Sequence, residues 1–117
     1  MLHGFRGDHH GLALLAELAQ IDGIDGVKQA NADNVAMVDG LDLYAGNDDS
    51  FARALDVGAK GGILVASHVV GNEMRRMITE PDARAEIDAG LRDLYAALGV
   101  TTNPTLYAKV VLALLTG

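Results

Sequence analysis

At 117 residues, 50% of them hydrophobic, the chain is long enough for one domain with a real core and too short for two. A net charge of -7 argues against nucleic acid or an anionic membrane as partner, since both select a basic surface. The absence of cysteine excludes disulfides, thiolate zinc sites and thiol nucleophiles, and the fourteen glycines against two prolines fit a chain with many tight strand-to-helix turns.

No apolar run reaches membrane-spanning length, and the first residues lack a signal peptide's basic start and apolar core, so a soluble cytoplasmic protein is expected. His9 and His10 beside Asp8 have the composition of a metal cluster but read as a solvated terminal segment. Leu12, Leu15 and Leu18 then recur at helical spacing over residues 11 to 20. Ile24 to Lys28 reads as a short strand, and Asp33 offers a cap for a brief helix through Met37 and Val38.

Leu41-Asp42-Leu43-Tyr44-Ala45 reads as a second strand ending at Gly46, followed by N-cap candidates at Asn47, Asp48, Asp49 and Ser50. The helix they introduce runs from about 49 to 57 and is closed by Gly58. Acidic residues at a helix start are ordinarily caps and dipole partners, so Asp48, Asp49 and His68 are not assigned a metal. Lys60 reads as a surface charge, and residues 61 to 66 have the continuous apolar character of a strand buried on both faces. Helices over about 68 to 79, 82 to 98 and 104 to 115 finish the chain, with Pro81 and Pro104 at or near their starts and Arg75 and Arg76 on an exposed face.

Strands separated by helices and short crossovers imply parallel pairing in right-handed βαβ units, hence an α/β protein. Active groups in such folds gather at the carboxyl ends of the strands, which here are Lys28, the Gly46-Asn47-Asp48 turn and Ala66-Ser67-His68. Lys28 carries the most chemistry. A strand that takes an ammonium into a protein interior faces a desolvation penalty that is relieved when the amine is neutral, and a neutral amine is a nucleophile toward keto acids.

Four segments in order, GVKQA at 26 to 30, YAGNDDSF at 44 to 51, GAKGGILVASHVVGNEM at 58 to 74 and TTNPTLYAKVVLALL at 101 to 115, resemble the dihydrodipicolinate synthase family. That family belongs to the pyruvate-dependent class I aldolases and lyases on a (β/α)8 barrel. The resemblance implies a partial barrel: the last three βα units, to about residue 80, then C-terminal helices from about 82, as one partial domain over 1 to 117. It implies that Lys28 is the Schiff-base lysine, that Gly46 is the turn glycine lining the pyruvate pocket and that Ile63 directs a backbone carbonyl toward it. Arg6 would be the arginine that holds a substrate carboxylate.

The implied reaction condenses pyruvate with aspartate semialdehyde in lysine biosynthesis, without metal or cofactor. A related aldolase with another small aldehyde acid, or a half-barrel that does no chemistry, are the alternatives. The family's proton-relaying tyrosine and threonines have no counterpart here, since Tyr44 and Tyr95 fall in other elements. A barrel needs about 250 residues and eight strands, so a homo-oligomer, or a partner chain completing the barrel, is expected.

Overall fold

The computed structural model describes residues 2 to 3, 9 to 31, 33, 35 to 99 and 103 to 117. The chain divides into two compact units, Met1–Ile63 and Leu64–Gly117.

In the first unit four strands, β1 (Leu2–His3), β2 (Gly26–Gln29), β3 (Asp42–Ala45) and β4 (Gly61–Gly62), form one parallel sheet in chain order. The helix α1 (His9–Leu18) connects β1 to β2, and α2 (Phe51–Asp56), entered through a 3-10 turn at Asp48–Ser50, connects β3 to β4. The three strands read from the sequence are present, joined by β1 at the amino end. Period-two alternation sorts the strand residues: Val27, Gln29, Leu43 and Ala45 are buried on one face, where α2 packs against β3 and β4. Phe51, Ala54 and Leu55 of α2 and Leu15 of α1 are buried as well. Burying a Leu or Phe side chain is worth about 1.5 to 3 kcal/mol, so these few residues hold the short helices in place.

Two local expectations are corrected. Residues 35 to 37 are irregular rather than helical, and Val38 makes an antiparallel bridge to Leu41 around Gly40, whose φ is +87°. Val35 and Leu41 are 6% and 4% exposed, and burying both across so short a connection favours a tight reversal over a helix turn. The last strand is also shorter than the run 61 to 66. Only Gly61 and Gly62 pair fully, the Ile63 N–H donates to the Ala45 carbonyl at 2.9 Å, and Ile63 is 48% exposed. An outer strand has one ladder to hold it, so the chain leaves the sheet once that ladder ends.

The second unit is helical: α3 (Ser67–Thr79), a 3-10 turn at Pro81–Ala83, α4 (Arg84–Leu98) and α5 (Pro104–Thr116), packed pairwise on one another. The boundaries fall within two residues of those read from the sequence because the stop and start signals are local. Pro81 and Pro104 occupy first positions, and the Asn103 side chain caps α5 by accepting from the Leu106 N–H at 3.3 Å. Met74 and Met77 of α3, Tyr95 and Leu98 of α4 and Ala108 of α5 are its buried residues. The Arg84 Nε donates to the Met77 carbonyl at 2.8 Å and ties the end of α3 to the start of α4. No helix among the described residues is long and apolar enough to cross a membrane.

Candidate functional site

Lys28 is the third residue of β2. Its neighbours Val27 and Gln29 are 1% and 2% exposed on the face that α2 covers, so alternation turns Lys28, half-buried, to the opposite face. Its registered partner in β3 is Tyr44, which shares that face, as do Gly26 and Asp42 two pairs earlier.

The carboxyl ends of β2 and β3 are fastened to each other. The Gly46 N–H donates to the Gln29 carbonyl at 2.8 Å, and the Asn47 side-chain amide donates to the Ala30 carbonyl. A Cβ at Gly46 would sit 2.9 Å from Cα and Cβ of Ala30, so the turn after β3 lies in direct backbone contact with the segment that follows the lysine strand. The Gln29 side chain accepts from the Asn31 N–H at 3.0 Å, and the Ser50 hydroxyl donates to the Asn47 carbonyl at 3.3 Å. Lys28, Gly46 and Ile63 therefore stand at the carboxyl ends of three adjacent parallel strands, with Ile63 bonded through its N–H to the residue before Gly46. Arg6 lies outside the described residues.

On the amino-end side, Lys60, just before β4, pairs with Asp42 of the neighbouring β3, with Nζ to Oδ1 at 3.0 Å. Hydrogen bonding to Asp42, then its charge, pushes the Lys60 amine above its ordinary value, against a small desolvation effect, and the nearby Tyr44 phenol adds to this. Both side chains are largely exposed, so the pair marks the face rather than stabilising it. Among the described residues no group of three or more His, Asp or Glu side chains is placed to hold a metal. Tyr44 was set aside in the sequence as a proton-relay tyrosine, and its place beside Lys28 was not read. The signal was its position, third in its strand as Lys28 is third in β2, which in a parallel pair sets the two side by side.

A parallel sheet in chain order, with α2 packed on one face and a lysine on the other, fits a segment of a (β/α)8 barrel. The chain belongs to the Dihydrodipicolinate synthetase family, which it matches over residues 7 to 115. It is 35% identical over 113 residues to the 4-hydroxy-tetrahydrodipicolinate synthase of Nostoc sp., covering 86% of this chain and 38% of the relative. It is 37% identical over 102 residues to the enzyme of that name from Listeria monocytogenes serotype 4b, covering 77% and 35%. Among solved structures it resembles the dihydrodipicolinate synthase of Cyanidioschyzon merolae with lysine bound (TM-score 0.78, 30% identity, 99% of this chain and 44% of that one). The synthase of Aquifex aeolicus is also similar (TM-score 0.69, 28% identity, 80% and 36%). The chain spans well under half the length of the relatives it matches.

Proposed function

We propose that this chain carries the Schiff-base half of a dihydrodipicolinate synthase-type site, with Lys28 as the nucleophile toward pyruvate and aspartate semialdehyde as the aldehyde partner, in lysine biosynthesis. The observation that supports it most is the placement of Lys28 on the sheet face opposite α2, at the carboxyl end of a strand clamped by Gly46 and Asn47. In this reading the Lys28 nitrogen bonds to the ketone carbon of pyruvate, the ketone oxygen leaves as water, and the resulting imine loses a methyl proton to give the enamine that attacks the aldehyde carbon. Gly46 and Ile63 line the pocket with backbone, and Arg6 holds a carboxylate.

The residues here span 38% of the Nostoc relative, so the proton-relaying groups come from chain outside these residues, in the same polypeptide or in a partner that completes the barrel in a cytoplasmic assembly. The same coverage favours a second reading, in which the 117 residues by themselves perform no turnover. The test is incubation with pyruvate and borohydride followed by intact mass measurement. One reduced pyruvyl adduct, absent from Lys28→Ala, is the expected result, with negligible turnover of aspartate semialdehyde until a chain supplying the remaining strands is added. No adduct at any pH removes Lys28 as nucleophile, and robust turnover by the 117 residues alone removes the second reading.

A further inference from the structure

We propose that Tyr44 is the floor of the Lys28 site and limits the 2-oxo acid it accepts to the three-carbon size of pyruvate; this rests on Lys28 being the imine-forming amine. Tyr44 and Lys28 are registered partners on one face of adjacent parallel strands. Two glycines flank the tyrosine on that same face: Gly61, its registered partner in β4, and Gly26, two residues before Lys28 in β2. Neither has a left-handed φ, so backbone conformation does not demand glycine at either position.

Space does. A Cβ at Gly26 would come 3.3 Å from Cε2 of Tyr44 and 3.1 Å from the Asp42 carbonyl, and a Cβ at Gly61 would meet Cδ1 of Tyr44 at 3.8 Å. Those ring atoms are opposite corners of the phenol. The ring therefore bridges the flanking strands at the height where side chains begin, and both glycines are buried. It leans toward Gly26, hence toward the amino end of the strands and below Lys28.

On the other side of Lys28 the Gly46 turn, pressed on Ala30, bounds the face two residues further on, a rise of about 7 Å at about 3.3 Å per residue. A keto acid bonded to Lys28 sits between this turn and the ring. A substituent longer than methyl on its ketone carbon meets the ring, and one methylene misfit against a packed wall is worth about tenfold or more in selectivity.

The experiment traps the 117-residue chain with borohydride in an equimolar mixture of pyruvate and 2-oxobutyrate, whose adducts differ in mass by one methylene. The wild-type chain is expected to favour the pyruvyl adduct by about tenfold. Tyr44→Phe keeps that ratio, because the ring and not its hydroxyl forms the floor. Tyr44→Ala brings the ratio to within about twofold. If Tyr44→Ala loses its fold by circular dichroism, Tyr44→Leu decides, with a reduced ratio supporting the floor. An unchanged ratio in the folded Ala or Leu variant overturns the proposal while leaving Lys28 as nucleophile. A wild-type chain that forms no Lys28-dependent adduct with either acid overturns both.

Discussion

Gly46 is a position where one added methyl group meets backbone closer than real Cβ atoms come. Its Cβ would meet Ala30 backbone at 2.9 to 3.0 Å, and that backbone is held in place by the Gln29 carbonyl and the Asn47 amide. Overpacking against fixed backbone costs about 1 to 3 kcal/mol, so Gly46→Ala should lower the unfolding free energy by that much, read as an earlier urea midpoint at unchanged slope, and weaken pyruvate trapping with it. Asp42 and Lys60 behave in the opposite way. Lys60 is raised by its partner, so any stability it lends is present below its unfolded pKa and is lost only as the pH climbs through the higher folded one. At neutral pH Lys60→Ala should leave the urea midpoint unchanged, and a clear drop would mean the pair is not screened by solvent. Lys28 and Gly46 were legible as residues because a lysine closing an apolar run, and a glycine before an acidic helix start, are local patterns. The position of Tyr44 beside Lys28 was not, since strand register depends on two segments at once.

At the level of elements, the helices of the second unit were readable to within two residues from Pro81 and Pro104. Their weak points are equally local. Gly90 lies inside α4 with nothing within 4 Å of a built Cβ and no left-handed φ, so Gly90→Ala should stabilise the chain by about 1 kcal/mol in a thermal or urea melt. At the end of α3, Arg76 donates to Glu80 at 2.6 Å and pulls the Glu80 carboxyl below its ordinary value. A lowered carboxyl contributes above its unfolded pKa and ceases to contribute as the pH falls through its folded one. Arg76→Gln should therefore lower the neutral plateau of the stability curve slightly, as befits an exposed pair, leave the stability below the folded pKa of Glu80 unchanged, and so flatten the acid limb between them. The helix expected before Val38 failed for the converse reason: its residues have helix-compatible spacing, but burial of Val35 and Leu41 and the left-handed Gly40 impose a reversal.

For the molecule as a whole, the exposed apolar side chains concentrate on α5, where Leu106, Val110 and Leu114 are 54%, 52% and 79% exposed along one i, i+4 row. An apolar row of this kind is unusual on a protein that stays monomeric, so light scattering across a concentration series should show self-association, reduced in Leu114→Glu. A monodisperse monomer at every concentration would contradict this. The amino-acid sequence by itself determined the α/β class, the family and, to within a residue, the ends of β2 and β3, because composition, period and short motifs are properties of neighbouring residues; it put the end of the last strand at Ala66 to His68, past its true end at Gly62. Tertiary structure alone decided which face Lys28 occupies, that Tyr44 stands beside it over two buried glycines, and that Gly46 rests on Ala30. Each of these is a distance between segments far apart in the chain, fixed only when strands pair in one register and helices bury one of the sheet's two faces.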